Sequence, residues 1–276
     1  MNQAIALVTG ATDGIGRATA HALAARGYRV IVHGREAARV EQARAEISGR
    51  AGGAAVGACV ADLLDERAVR AAAARVVEEY PRLDLLVNNA GAFFPSRRES
   101  VQGHEATLAV NHLAHFLLTH LLLPSLRAAP AARVVNVSSM AHGSGRIDLD
   151  DLHLTRRYGG REAYAAAKLA NVLFTAELAR RLGPAATVTV NALHPGIIAT
   201  KLLDTGFPGL GGLPVDDGIK TTLLVATDPA LAGVTGRYFS GGRAVEPSRA
   251  ARDPVLQGAF YDASAALVGV TPLPAE

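Results

Sequence analysis

The chain alternates between short apolar runs and longer amphipathic stretches, and this rhythm constrains its fold more than any other feature. Seven runs have the length and composition of strands: Ile5–Thr9, Arg29–His33, Ala54–Val60, Leu83–Asn88, Arg133–Ser138, Thr187–Leu193 and one near Gly236–Ser240. Five stretches have helical periodicity: Gly14–Arg26, Glu36–Ser48, Asp65–Tyr80, Val101–Ala128 and Ala163–Leu182. The strands are apolar throughout, as expected when helices cover both faces of a sheet. The alternation predicts an α/β fold with a seven-stranded, mostly parallel sheet.

The composition indicates a chain that folds around a large apolar core. Of its 276 residues, 49% are hydrophobic and 19% are charged, which argues against intrinsic disorder. The net charge of +3 is small and scattered, whereas nucleic-acid binding needs a clustered basic face. No Pro/Gly/Ser-rich linker divides the chain before residue 200, so we expect a single domain over residues 1–276. The single cysteine, Cys59, excludes an internal disulfide and favours a reducing, cytoplasmic location.

One apolar stretch, residues 108–126, is long enough to raise the question of a membrane span. It contains polar residues and a proline that are costly in lipid: Asn111, His112, His115, His120 and Pro124. We therefore interpret it as a buried core helix and expect no membrane attachment. No carboxylate near His112 and His115 completes a metal site, so we expect no metal and assign both residues to packing.

Immediately after the first strand, the sequence passes through a glycine-rich turn into a helical pattern. The turn reads Thr9-Gly10-Ala11-Thr12-Asp13-Gly14-Ile15-Gly16. Glycines let a backbone turn tightly and approach a pyrophosphate, and the following helix N-terminus offers N–H groups and partial positive charge. A dinucleotide site is therefore predicted here, with these candidate cofactor-binding residues: Gly10, Thr12, Asp13, Gly14, Ile15 and Gly16.

The Gly-x-x-x-Gly-x-Gly spacing of this turn resembles that of the short-chain dehydrogenase/reductase family, and three later motifs resemble the same family. They are Asn88-Asn89-Ala90-Gly91 after the fourth strand, Tyr164-Ala165-Ala166-Ala167-Lys168 in a helix, and Pro195-Gly196 after the sixth strand. The match extends over roughly residues 4–240. The resemblance implies a Rossmann-type, doubly wound sheet and hydride transfer between a nicotinamide dinucleotide and a carbonyl/alcohol pair of a small organic substrate.

The resemblance also implies four catalytic residues. Tyr164 would act as acid or base on the substrate oxygen, where hydride transfer changes the charge. Lys168, one helical turn away, would favour the tyrosinate as a nearby cation and bind the nicotinamide ribose. Ser139 would hydrogen-bond the substrate oxygen, with Ser138 as its competitor for that role. Asn111 would hold a water that connects Lys168 to solvent.

The cofactor is expected to be NADP(H) rather than NAD(H). NAD enzymes place an acidic residue at the end of the second strand, whereas this strand ends in His33-Gly34-Arg35 and Arg35 can pair with a 2′-phosphate. Glu36 falls near the distance at which an NAD enzyme has its acid, and Asp13 stands where some NADP-binding relatives have a basic residue. The family pattern adds these further cofactor contacts: Asp62, Leu63, Asn89, Ala90, Gly91, Tyr164, Lys168, Pro195, Gly196, Ile198 and Thr200.

Within the family, the chain is most similar to the retinol-dehydrogenase-like branch. The segments over residues 110–119 and 168–174 resemble that branch, as does the 25-residue separation of Ser139 and Tyr164. The long separation predicts an added excursion, about His142–Arg161, near the mouth of the site. Membrane-anchored members of that branch carry an apolar segment ahead of the glycine motif, for which this sequence has no room. We therefore do not carry over membrane attachment or retinoid specificity to this chain.

The substrate side of the site is less defined by the sequence. A loop near residues 197–218, with many glycines and prolines in Thr205–Pro214, is either a substrate lid or a plain surface connection. A bulky, partly apolar substrate is expected from a pocket containing Phe93, Phe94, Met140, His142 and Ile197. The family suggests a homodimer or homotetramer through the helices Val101–Ala128 and Ala163–Leu182, and the excursion favours a monomer instead. The alternative function is a catalytically silent, dinucleotide-sensing regulator.

Overall fold

A computed structural model describes residues 3–50 and 56–275 of the chain. Its strands are β1 (Ile5–Val8), β2 (Arg29–Gly34), β3 (Val56–Val60), β4 (Leu85–Asn88), β5 (Ala132–Val137), β6 (Val188–His194), β7 (Tyr238–Ser240) and β8 (Arg243–Val245). Its helices are α1 (Gly14–Ala25), α2 (Ala37–Arg50), α3 (Glu66–Glu79), α4 (Ala106–Leu108), α5 (Ala114–Arg127), α6 (Gly160–Leu182), α7 (Lys201–Gly206), α8 (Val215–Thr227) and α9 (Pro254–Leu267). A π-helical turn, Ala109–Leu113, joins α4 to α5.

The strands form one sheet in the order β3-β2-β1-β4-β5-β6-β7-β8. All neighbours are parallel except β7 and β8. Apolar side chains fill the space between the sheet and the helices on both of its faces, in two core clusters. The winding of the chain reverses between β1 and β4, and the carboxyl ends of parallel strands open a crevice at such a point. The expected α/β, Rossmann-type fold with helices on both faces is confirmed.

The sheet has one strand more than the seven that the sequence predicted. The additional strand, β8, pairs with β7 through a two-residue turn at Gly241 and Gly242, whose φ angles are +57° and +76°. Both values lie in the region that glycine adopts readily, and such turns are typical of hairpins. The strand has three residues, of which Arg243 and Ala244 are exposed, so it carries no apolar run. The Gly-Gly pair was the sequence signal available for it.

The long helix predicted over Val101–Ala128 begins later, at Ala106. Both carboxylate oxygens of the buried Glu105 accept hydrogen bonds from the first backbone N–H groups of α4, each at 2.7 Å. The stretch from Ala106 to Arg127 is the one described helix long and apolar enough to cross a membrane, with an 18-residue window of mean hydropathy 1.4, but 89% of that window is buried in the fold. The other predicted elements differ by three residues or fewer at either end, and Ala54 and Ala55 of the predicted third strand lie outside the described residues.

The C-terminal helix α9 packs against α5 and α6. Arg181 of α6 anchors it: the guanidinium lies 4.1 Å from the ring centroid of Tyr261, pairs with Asp262 at 2.8 Å and donates to the carbonyl oxygen of Leu273 at 2.7 Å. The same arginine pairs with the fully buried Glu177 at 2.6 Å. The helices expected to form a subunit interface are therefore partly covered by the chain's own C-terminal segment.

Candidate active site

The glycine-rich turn connects β1 to α1 at the crevice. Asp13 is the N-cap of α1, and its carboxylate accepts a hydrogen bond from the backbone N–H of Gly14 at 2.9 Å. Gly10 has a φ of +66°, and a Cβ atom on Gly16 would lie 2.3 Å from the carbonyl oxygen of Gly10. Glycine is therefore required at both positions, and the resulting turn lets a phosphate group approach the N-terminus of α1.

The Asn-Asn-Ala-Gly segment after β4 is fastened to this turn by hydrogen bonds to Thr9. Its hydroxyl oxygen accepts from the backbone N–H groups of Asn89 at 2.8 Å and Ala90 at 2.9 Å. The side-chain amide of Asn89 donates to the carbonyl oxygen of Thr9 at 2.8 Å. A Cβ atom on the adjacent Gly91 would lie 2.9 Å from Oδ1 of Asn111. These contacts hold together the strand ends at which the winding reverses.

Tyr164 and Lys168 lie one turn apart on α6, as the sequence predicted. Nζ of Lys168 lies 5.6 Å from the centroid of the Tyr164 ring and donates to the carbonyl oxygen of Val137 at 3.0 Å. Both side chains are buried, at 6% and 3% exposure. Burial raises the pKa of Tyr164 to about 12, while a hydrogen bond with Ser139 acts to lower it. Burial outweighs this hydrogen bond, so the phenol is protonated at neutral pH, and the lowering of its pKa by the Lys168 cation stays a prediction.

Burial also changes the acidity of the lysine. It lowers the pKa of Lys168 to about 8, because a charged ammonium is disfavoured away from water. A buried ammonium needs more acceptors than one carbonyl oxygen supplies. The hydroxyls of a ribose would meet that requirement, so this side chain fits the cofactor that the glycine turn implies.

The two serines after β5 differ in their surroundings. Oγ of Ser138 donates to the carbonyl oxygen of Lys168 at 2.7 Å, and the residue is 2% exposed. Ser139 is the N-cap of a short 3₁₀ turn, accepts from the backbone N–H of Ala141 at 3.2 Å and hydrogen-bonds Tyr164. The Ser138 hydroxyl is thus used inside the protein, whereas the Ser139 hydroxyl lies beside the phenol.

Asn111 lies within the π-helical turn and is fully buried. Its amide nitrogen donates to the carbonyl oxygens of Ala92 at 2.9 Å and Thr107 at 2.8 Å, and its Oδ1 accepts from the backbone N–H of Ala92 at 3.3 Å. Both amide hydrogens are therefore used by the backbone. The main-chain carbonyl oxygen of Asn111 lies 3.2 Å from Nδ1 of His115. A water held by Asn111 would use this carbonyl or the second lone pair of Oδ1.

Basic side chains surround the end of the cleft that β2 approaches. Arg35 follows β2, is 69% exposed and pairs with Glu36 at 3.2 Å. Arg39, in the first turn of α2, pairs with Asp13 at 3.4 Å and was not predicted as a site residue. Arg35 lies before α2 begins at Ala37, so helical spacing did not relate the two arginines. Lys201 of α7 pairs with the same Asp13 carboxylate at 2.5 Å.

The predicted substrate loop contains regular structure. Gly196, with a φ of +103°, turns the chain after β6, and Thr200 is the N-cap of α7. After α7 the chain returns, and Leu213 pairs with the backbone of Ile197 at 2.8 Å and Ala199 at 2.9 Å before α8 begins. The segment is therefore a short helix with a braced return rather than a loop alone.

Nearly all residues predicted to bind cofactor or substrate line one cleft of about 1280 Å³. Its lining includes Gly10, Thr12, Asp13, Gly14, Ile15, Gly16, Arg35, Asp62, Leu63, Asn89, Ala90, Gly91, Ser139, Tyr164, Lys168, Pro195, Gly196, Ile198 and Thr200. Asn111 lies behind Gly91 rather than in this lining. Within residues 3–50 and 56–275, no group of three or more His, Cys, Asp or Glu side chains is arranged to hold a metal ion.

Aromatic rings close the substrate end of the cleft around the phenol. The rings of Phe93, Tyr164 and Phe207 form a triangle with centroid distances of 6.1, 6.0 and 5.9 Å. Phe94, Met140 and Ile197 line the cleft, whereas the buried His142 binds the carbonyl oxygen of Ser139 at 2.7 Å and is absent from the lining. The predicted substrate loop near residues 197–218 adds further apolar residues to this lining, namely Leu202, Leu203, Phe207 and Leu210.

The chain is similar in sequence to a known protein family and to a curated protein. The family model for short chain dehydrogenases matches residues 4–208. Retinol dehydrogenase 13 of Homo sapiens is 41% identical over 279 residues, which cover 96% of this chain and 84% of that protein.

Two solved structures are also similar to this chain. An uncharacterised protein from Mycobacterium Paratuberculosis has a TM-score of 0.81 and 35% identity, with coverage of 99% of this chain and 95% of that one. A short chain dehydrogenase from Shigella flexneri, complexed with NADP, has a TM-score of 0.72 and 30% identity, with coverage of 87% and 97%.

Proposed function

The chain belongs to the short-chain dehydrogenase/reductase family, on its retinol-dehydrogenase-like branch, and we propose that it transfers a hydride between NADP(H) and a carbonyl/alcohol pair of a small, partly apolar substrate. Membership of the family makes it an oxidoreductase. The observation that carries the proposal is the meeting of Tyr164, Lys168 and Ser139 with the glycine-rich turn in one cleft. We assign the catalytic roles to these three side chains and to Asn111.

In this mechanism the bound nicotinamide supplies or accepts the hydride, and the protein handles the accompanying proton. Tyr164 gives a proton to the substrate oxygen as the carbonyl is reduced, and Ser139 donates a hydrogen bond to that oxygen. Because burial raises the pKa of Tyr164 to about 12, the phenol is protonated at neutral pH and is suited to reduction. Lys168 holds the ribose hydroxyls, and its charge stabilises the phenolate that remains.

The preference for NADP(H) rests on the charges at the end of the cleft near β2. Arg35, just before α2, and Arg39, in its first turn, both line this end, and guanidinium groups bind phosphate well. The carboxylate of Glu36 pairs with Arg35, so it is not free to bind ribose hydroxyls. The carboxylate of Asp13 is likewise paired, with Arg39 and Lys201. The similar Shigella flexneri protein binds NADP, which agrees with this assignment.

The segment over residues 197–218 would cover the bound substrate in this proposal. It contributes Leu202, Phe207 and Leu210 to the lining of the cleft, and the ring of Phe207 lies 5.9 Å from that of Tyr164. These apolar side chains fit a substrate whose carbonyl carries apolar substituents. Cys59 is a buried free thiol, which is compatible with a cytoplasmic enzyme.

The expected homodimer or homotetramer remains part of the proposal, but we assign its interface to a different surface from the one predicted. Because α9 packs on both α5 and α6, we propose that a homo-oligomer pairs through other surfaces. Light scattering after size-exclusion chromatography gives the mass in solution and decides between a monomer and an oligomer.

Activity measurements test the proposed function directly. The purified protein should oxidise NADPH in the presence of at least one member of a panel of aldehydes, ketones and quinones, with NADH run in parallel. Tyr164→Phe removes the proton donor, so turnover should fall by about 10²–10⁴ while the cofactor Kd stays within a factor of two or so. Near-normal turnover in this variant would remove Tyr164 from the mechanism. Cofactor binding by the wild type without turnover of any substrate would favour the sensor alternative.

The cofactor preference has its own test. Arg35→Ala should weaken binding of NADPH by roughly tenfold or more and leave binding of NADH nearly unchanged, because one charge-assisted contact to the 2′-phosphate is lost. Arg26→Ala, which changes an exposed arginine at the far end of α1, is the matched control. Equal weakening of both cofactors by Arg35→Ala would reject the assignment.

A further inference from the structure

We propose that His115 is a positioning residue that couples the dinucleotide-binding turn to Asn111. The imidazole is 2% exposed and contacts two parts of the candidate active site. Nε2 lies 3.0 Å from Oγ1 of Thr9, which immediately precedes the glycine turn. Nδ1 lies 3.2 Å from the carbonyl oxygen of Asn111. This role rests on the proposed function, since it concerns cofactor binding and proton handling at the same site.

The hydrogen-bonding groups around the ring determine its tautomer. Oγ1 of Thr9 accepts from the N–H groups of Asn89 and Ala90, which uses both of its lone pairs, so its own hydrogen is left to donate. Nε2 of His115, at 3.0 Å, is nearer to it than the carbonyl oxygen of Val87 at 3.3 Å. Nδ1 faces a carbonyl oxygen, which can only accept, so Nδ1 carries the hydrogen. The ring therefore donates to Asn111 and accepts from Thr9.

Three segments of the site meet at this ring. The Thr9 hydroxyl fixes the Asn-Asn-Ala-Gly segment, and the Thr9 backbone leads directly into Gly10. On the other side, the ring holds the carbonyl of Asn111, which lies in a widened helical turn whose carbonyls depart from the regular helical pattern. That carbonyl and Oδ1 of Asn111 are the two groups that would accept from a relay water between Asn111 and Lys168. Loss of the ring would let the cofactor turn and the relay carbonyl move independently.

A second buried histidine, three residues earlier in the chain, supplies a matched control. His112 is fully buried, lies 3.0 Å from Oγ of Ser264 and 3.4 Å from Oδ1 of Asn171, and faces α9 rather than the glycine turn. His115→Phe and His112→Phe each remove two polar contacts from the core, so we expect comparable losses of Tm. They differ in whether the lost contacts belong to the proposed active site.

The experiment compares cofactor affinity and the pH dependence of kcat in the two variants. We expect His115→Phe to raise the Kd for NADPH by roughly 10–100-fold, as for other groups that orient ligand-binding residues, and to shift the alkaline limb of the kcat profile. We expect His112→Phe to keep the Kd and the profile of the wild type. Equal Kd values and equal profiles in the two variants would overturn the proposal.

Two conservative variants test the two hydrogen bonds of the ring separately, and they remain informative if the phenylalanine variant does not fold. His115→Gln keeps an acceptor near the Thr9 hydroxyl and should restore cofactor affinity, whereas His115→Asn keeps a donor near the Asn111 carbonyl and should restore the pH profile. The opposite pattern, or restoration of neither cofactor affinity nor the pH profile, would refute the proposed role of the two hydrogen bonds. A wild type that binds neither NADPH nor NADH would instead refute the proposed function itself.

Discussion

Replacing Lys168 with methionine should make the ligand-free protein more stable. The lysine is 3% exposed, and burial lowers its pKa from 10.5 to about 8. One pKa unit corresponds to about 1.4 kcal/mol, so folding with a charged Lys168 costs about 3 kcal/mol at neutral pH. The lost hydrogen bond to the carbonyl oxygen of Val137 offsets about 1 kcal/mol of this gain. Lys168→Met should therefore raise the free energy of unfolding by about 2 kcal/mol.

The pH dependence has a definite sign. The pKa is lower in the folded than in the unfolded chain, so folding penalises the protonated form. The penalty is complete below pH of about 8, fades as the pH rises towards 10.5, and is absent above that value. The stability advantage of Lys168→Met should accordingly be largest near pH 7 and shrink over this interval.

Thermal and urea unfolding without cofactor measure this difference at neutral and alkaline pH. A gain of about 2 kcal/mol corresponds to a rise in Tm of roughly 4–8 °C for a chain of this size class. Lys220→Met, which changes an exposed lysine, is the control and should alter stability by no more than about 0.5 kcal/mol. A methionine variant that is less stable than wild type at pH 7, or an advantage that does not narrow with pH, would refute the reasoning.

Two further substitutions test the aromatic wall and the anchor of the C-terminal helix. Phe207→Ala removes the ring that packs edge-on against Tyr164, so KM for apolar ketones should rise several-fold while the cofactor Kd is unchanged; a fall in kcat alone would contradict the substrate-wall role. Glu177→Gln removes the fully buried carboxylate that pairs with Arg180 and Arg181 and should lower the free energy of unfolding by about 3 kcal/mol; urea unfolding with a loss below about 1 kcal/mol would count against it.

The parts of the site that depend on local spacing could be predicted from the sequence. Strand-turn-helix geometry follows from the glycines, and a separation of four residues on a helix places Tyr164 and Lys168 on one face. The carboxyl ends of parallel strands then bring the other motifs to the same edge of the sheet. For this reason the predicted cofactor residues lie in one cleft, although their individual roles stay predictions.

The parts of the site that depend on long-range contacts could not be predicted from the sequence. Asp13 and Lys201 are separated by 188 positions, and no periodic pattern relates them. His115 was assigned to packing because its partners are Thr9, directly after β1, and Asn111 in a π-helical turn, which hydrophobic periodicity does not reveal. The high pKa of Tyr164 likewise follows from burial in the assembled site rather than from its neighbour on the helix.

The position of α9 after α5 and α6 in the sequence has a consequence for the order in which the chain can fold. During synthesis the apolar sides of α5 and α6 leave the ribosome well before the segment that shields them, which ends near Leu273. A nascent chain that lacks this segment exposes apolar surface, and such surface promotes aggregation and binding by chaperones. The core over α5 and α6 is thus completed only after α9 and the residues up to Leu273 have been translated, and a nonsense mutation ahead of Pro254 would release a chain that lacks this cover.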